Sequence, residues 1–167
     1  MGMRGQYVMV SEDTLEQMMK MDSEALMDTL EELIEAETAS YEIDKLWDGL
    51  HFLLTGVSAS EPIEGDRLSE SVVGVHVFDV GEDDGFFACT EQDELADIIQ
   101  AMKQVDFDVL ELSFDLAAFR GNEIYPRIWE ENCKEALWHE LKGEFSALLA
   151  FYEKTLAAKQ HVIFSIV

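Results

Sequence analysis

The C-terminal end of the chain sets the strongest condition on its fold. From about Glu130 to Lys159, the residues Leu137, Leu141, Phe145, Leu148, Tyr152 and Leu156 recur at helical spacing, which predicts one long helix with a single apolar stripe. Gly143 points away from that stripe. His161 to Val167 then reads as a short, apolar, β-rich strand. A strand of that character is stable only when paired inside a sheet, so the chain must build a sheet and pack helices on it.

The remaining segments supply both kinds of element. Gln6 to Val10 reads as a strand. Ser11 is the expected N-cap of a helix with Leu15, Met18 and Met19 inward. Ser23 is the expected cap of a second helix, with Leu26, Met27, Leu30, Leu33 and Ile34 on one side and an acidic face opposite. Val57 to Ser71 carries Pro62, Gly65 and several serines and reads as a loop of about fifteen residues, a length often associated with function. Val72 to Val80 is the next expected strand, with His76 in it as a packed or edge residue. Gly81 to Gly85 is an acidic turn. It fails as a calcium loop, because Val80 would stand at the first ligand position. Phe86 to Cys89 forms a short strand, and Thr90 then caps a helix with Leu95, Ile98, Ile99 and Met102 inward. Phe107 to Phe119 is helical. Pro126 keeps Tyr125 out of the α region, so Ile124 to Trp129 is extended or turning. The expected architecture is α+β: a single compact domain over residues 1–167, with a small mixed sheet of about four strands packed with five or six helices. No repeat or linker divides it.

Composition narrows the function classes. At 167 residues and 48% hydrophobic content, the chain can bury a core despite a net charge of −25. Residues 1–115 hold 29 of the 36 acidic residues and 5 of the 11 basic ones, leaving the remainder nearly neutral. Nucleic-acid binding through phosphates needs a basic footprint that this distribution lacks. An acidic surface instead favours encounter with a basic protein partner. No apolar run is long enough to cross a membrane, and the opening MGMRGQYVMV has no signal-peptide core, so a cytoplasmic location is expected. Cys89 and Cys133 fit a reducing compartment and belong to no metal-binding pattern, so no metal or cofactor is expected. The chain lacks GxGxxG and GxxxxGK[ST] phosphate loops, a GxSxG elbow and HExxH.

The segment Ile43 to Gly56, IDKLWDGLHFLLTG, predicts a short helix that begins at an Asp44 cap and stops at a left-handed Gly56. Leu46, Trp47, Leu50, Leu53 and Leu54 form its apolar face. Asp44, Asp48, His51 and Thr55 form a polar edge. Gly49 costs about 1 kcal/mol against alanine inside a helix, which close approach of a neighbour would justify. Asp48 and His51 stand at i and i+3, close enough to interact. That pair is either a general base or half of a metal site, or a hydrogen-bonded pair at the border of the core.

Asp44, Lys45, Trp47, Asp48, Leu50, His51, Leu54, Thr55 and Gly56 resemble the central motif of the YfbM-like bacterial proteins, a family of unknown function. The opening MGM-R-G, the Leu68-Ser69 pair, Gly74 and the Ile124-Tyr125-Pro126 triplet extend the resemblance over almost the whole chain. It implies a compact bacterial α+β domain with no established activity or cofactor, and it assigns no catalytic residue.

Two functional readings follow. The first is an immunity- or antitoxin-like protein that binds a basic partner through its acidic surface. The alternative is a small-molecule-binding protein or enzyme with a pocket of Trp47, Asp48, His51, Tyr125, Arg127 and Trp129. There Asp48 and His51 would handle protons, Arg127 would hold an anion and the aromatic rings would form walls. This second reading requires the two motifs to meet in space. Otherwise Trp47, Tyr125 and Trp129 are simply large core residues.

Overall fold

The computed structural model describes residues 2–81 and 84–167. Its sheet has five strands: β1 (Gly5–Val10), β2 (Ser40–Asp44), β3 (His76–Val77), β4 (Phe86–Thr90) and β5 (His161–Ile166). They lie in the order β2-β1-β5-β4-β3. The C-terminal strand is thus central, paired with β1 on one side and β4 on the other. Eight helices accompany them among the described residues: α1 (Glu12–Met18), α2 (Ser23–Glu35), α3 (Trp47–Thr55), α4 (Arg67–Val73), α5 (Gln92–Lys103), α6 (Phe107–Leu112), α7 (Leu116–Gly121) and α8 (Lys134–Ala157). The α+β class is as expected, but every pairing is antiparallel, so the sheet is not mixed.

The sheet is covered on both faces. Val8, Val10, Phe87, Cys89 and Ile163 face Leu15 and Met18 of α1 and Leu26 and Leu30 of α2. Tyr7, Val162 and Phe164 point the other way, into a larger core with residues of α3, α5 and α8 such as Leu50, Leu95, Leu141 and Tyr152. A central strand buried on both sides loses its polar alternation, which is why the C-terminal run reads as continuously apolar.

Several local expectations shift. Met19 lies outside the core at 65% exposure. Asp22, rather than Ser23, caps α2 by accepting from the Ala25 N–H. Glu91, rather than Thr90, precedes α5, and the Glu94 carboxylate reaches back to the Glu91 N–H at 3.0 Å. The 107–119 segment splits into α6 and α7, each with its own aspartate cap, Asp106 and Asp115. The long helix starts at Lys134, after a 3-10 turn at Glu131–Cys133. The turn Gly81–Gly85 falls partly outside the described residues, at positions 82 and 83.

The largest differences lie between residues 57 and 80. The expected loop closes at Asp66, whose carboxylate accepts from the Leu68 and Ser69 N–H groups at 2.9 and 3.0 Å and starts α4. Gly74, at φ 86°, ends that helix, and only His76 and Val77 pair as β3. α4 is fixed from below by two phenols. The Tyr7 hydroxyl donates to the Val72 carbonyl and the Tyr152 hydroxyl to that of Ser71, both at 2.5 Å. Burial raises both phenols well above the ordinary tyrosine value, so they remain protonated donors.

Candidate functional site

The signature segment is half strand and half helix. Ser40 to Asp44 forms an edge strand, and Asp44 turns the chain at φ 56° instead of capping the helix. Its carboxylate pairs with Arg4 at 3.3 Å on the surface. Gly56 does end α3 in the left-handed conformation, at φ 79°, donating its N–H to Phe52 at 2.8 Å. Gly49 is explained by its neighbour: a β-carbon there would collide with the Trp129 indole. The helix thus approaches a ring more closely than any other residue would permit. Trp47 and Leu50 are buried as expected, Leu53 and Leu54 only partly, and the polar residues Asp48 and His51 are buried at 4% and 0% exposure.

Asp48 joins the two motifs. Its Oδ1 accepts from the Ser58 hydroxyl at 2.9 Å and the Ala59 N–H at 2.7 Å. Its Oδ2 accepts from the Tyr125 N–H at 2.8 Å. Alongside, Trp47 stacks on Tyr125 with ring centroids 5.4 Å apart. The N-terminal segment closes the group. The Trp47 indole N–H donates to the Met3 carbonyl at 3.1 Å, and the Met3 N–H donates to the Tyr125 hydroxyl at 2.8 Å.

His51 is not hydrogen-bonded to Asp48. Its Nδ1 lies 2.8 Å from the Val57 carbonyl, which can only accept, so Nδ1 carries the proton. Nε2 then accepts from the Ser69 hydroxyl at 2.7 Å, and Ser69 Oγ in turn accepts from the Ile63 N–H at 2.9 Å. Burial lowers the His51 pKa. The Val57 bond and the Asp48 and Asp66 charges oppose that shift without reversing it. A serine hydroxyl on an imidazole is the geometry of an activated nucleophile. Here both side chains are fully buried, and a backbone carbonyl takes the place of the orienting carboxylate. The pair therefore acts as a clasp, tying the 57–66 loop and α4 to α3.

Ser69 and the Ala59 N–H were not among the sequence-derived candidates. The Leu68-Ser69 resemblance was the available signal, together with Asp66 in capping position before it. Arg127 and Trp129 lie elsewhere. They line a separate depression of about 240 Å³ with Arg120 and Glu130, where Arg127 is exposed and Trp129 is packed inward, its indole N–H on the Ile124 carbonyl at 2.8 Å. Of the six candidates, Trp47, Asp48 and Tyr125 are assembled together, His51 sits behind them, and Arg127 and Trp129 belong to the neighbouring depression.

Trp47, Asp48 and Tyr125 line a cleft of about 710 Å³. The clasped loop supplies Ser58 to Ser60, the segment after α4 supplies Val77 to Gly81, and the sheet supplies Phe86, Phe87 and Ile166. The wall is mainly apolar. Its charged residues among those described are Asp48, Asp79 and Glu123, all acidic. No helix of the described residues is long and apolar enough to cross a membrane.

A family model described as "Domain of unknown function (DUF1877)" matches residues 1–165. The chain is 31% identical over 168 residues to Protein YfbM of Escherichia coli (strain K12), covering 100% of this chain and 99% of that protein. A crystal structure of that Escherichia coli protein, described as of unknown function, superposes with a TM-score of 0.83 at 30% identity, covering 98% of this chain and 99% of the other.

Proposed function

The chain belongs to the DUF1877 family, and on that footing we propose that it is a binding protein of the immunity or antitoxin type, whose cleft receives an apolar side chain flanked by positive charge from a basic protein partner. The observation that carries this reading is the make-up of the cleft: apolar and aromatic walls whose charged residues, among those described, are Asp48, Asp79 and Glu123. An apolar anchor gains burial there, and a neighbouring cation gains the acidic field. The surrounding charge of −25 extends that field over the approach. The bonding of Asp48 and His51 supports binding over proton transfer, because both are engaged in holding the cleft wall.

A second reading, a small organic amine as ligand, is favoured by the size of the cleft. Small-molecule sites span roughly 300–1,000 Å³. Trp47 and Tyr125 contribute aromatic lining to the cleft, which suits a cation.

Calorimetry with three probes tests the proposal: a capped Arg-Trp-Arg tripeptide, its Glu-Trp-Glu counterpart and phenethylammonium. The arginine peptide is expected to bind, to weaken as salt rises, and to lose at least about tenfold in affinity to the double variant Asp79→Asn, Glu123→Gln. Equal binding of the glutamate peptide would refute the charge argument. Phenethylammonium binding as tightly as the arginine peptide would favour the amine reading.

A further inference from the structure

A second group of side chains, away from the loop clasp, has the make-up of a metal-ligand set. β3 pairs with β4 so that His76 stands opposite Cys89. Two residues further along, β4 runs into Glu91, the residue that opens α5, with Glu94 in the first turn of that helix. The strand register therefore brings an imidazole from one element onto two carboxylates of another. His76 Nε2 lies 2.9 Å from Glu94 Oε1 and 3.8 Å from Glu91 Oε2. One ligand atom from each of the three residues fits within 4.8 Å of the others.

We propose that His76, Glu91 and Glu94 bind one divalent transition-metal ion of the zinc class, with water completing the coordination. Imidazole nitrogen and carboxylate oxygen are the donors such ions accept, at about 2.0–2.2 Å. Ligand atoms at that distance in a tetrahedral shell stand roughly 3.3 Å apart. The separations of 2.9 and 3.8 Å bracket this value, so small side-chain movements would admit the ion. Glu94 is held in place by accepting from the Glu91 N–H, which lowers the ordering needed on binding. The site carries excess negative charge. Two carboxylates stand against one imidazole in it.

The chain contains its own controls. His161 pairs with Glu12 and His139 with Glu135, each with a single carboxylate among the described residues. If any histidine–glutamate pair sufficed, they would bind as well. An ion at His76 would also fasten the two-residue strand β3, whose Val77 lines the cleft.

The test is zinc titration of the full chain by calorimetry, with imidazole resonances followed by NMR. Excess magnesium is added to occupy scattered surface carboxylates, since it favours oxygen-only sites. One equivalent of zinc is expected to bind, moving the His76 ring signals and leaving those of His139 and His161 in place. His76→Ala is expected to weaken binding by at least about 100-fold, and Glu94→Gln by at least about tenfold. Glutamine can still accept from the Glu91 N–H, so the second variant keeps the start of α5 intact. Thermal melts in chelator establish that both variants are folded. The proposal is overturned if magnesium abolishes the one-equivalent phase, if His76→Ala binds as the parent does, or if His139 and His161 respond together with His76.

Discussion

Both carboxylate oxygens of Asp48 are engaged in fastening. Three donors from two separate segments converge on one nearly buried carboxylate. Removing it leaves the Ala59 and Tyr125 N–H groups without partners in a partly dry site, at roughly 1–3 kcal/mol each for a buried orphan. Asp48→Ala is therefore predicted to cost about 3 kcal/mol, lowering Tm by roughly 6–12 °C for a chain of this length. Asp48→Asn should lose about 2 kcal/mol, because one acceptor becomes a donor facing a donor. Chemical denaturation of the two variants gives both values. His51 makes a prediction in pH. Its folded pKa lies below the ordinary 6.5, so the unfolded chain binds the proton more readily. Its contribution is complete above pH 6.5 and is lost as pH falls from there through the lowered folded value. A pH series of denaturation midpoints should show stability falling over that window, and His51→Gln should flatten it. Glu70 and Glu144, raised by burial, act from 4.5 upward with the opposite sign, so the histidine's share is the difference between the parent and His51→Gln series. At this scale the sequence made Asp48 and His51 neighbours on one helical edge. It could not show that each turns to a different partner, because those partners are loop groups whose positions no side-chain spacing records.

Loop 57–66 and α4 behave as an appendage of α3. Asp48 holds Ser58 and Ala59, His51 holds Val57, and Ser69 holds both His51 and Ile63. Ser69→Ala is predicted to cost about 1–2 kcal/mol and to speed hydrogen exchange at the Ile63 amide, while β5 amides keep their protection. Uniform acceleration across the sheet would contradict this local role. On the other side of α3, Gly49→Ala forces a methyl into the Trp129 ring and should destabilise by about 1–3 kcal/mol, more than a propensity gain of about 1 kcal/mol can offset. Periodicity exposed α5, α8 and β5, whose apolar residues repeat at the correct interval. It missed α4, in which Ser69, Glu70 and Ser71 are buried without forming an apolar stripe. That helix is fixed by the Asp66 cap and the phenols of Tyr7 and Tyr152, contacts that exist only after folding. It also missed β2, an edge strand with Ser40, Glu42 and Asp44 exposed, whose polar residues mask the alternation with Tyr41 and Ile43.

Across the whole molecule, the uneven charge has consequences for stability and binding alike. A chain at −25 repels itself, so moderate salt should raise Tm, whereas the proposed complex with a basic partner should weaken in the same salt. Opposite responses of folding and binding to one variable would separate specific recognition from general stabilisation. The acidic composition was legible at once. The cleft was not, since it is assembled from the N-terminal segment, α3, the clasped loop, the β3–β4 region, Ile166 and Tyr125. The three tryptophans allow the central claim to be tested by location. Trp47 lines the cleft, Trp129 the small depression beside Arg127, and Trp138 a groove beside α8. Indole N–H resonances should therefore be followed by NMR while the capped Arg-Trp-Arg peptide is added. The account predicts that the Trp47 signal moves and saturates while those of Trp129 and Trp138 stay in place. Movement at Trp129 or Trp138 with Trp47 unchanged, or the same response to the Glu-Trp-Glu peptide, would contradict it.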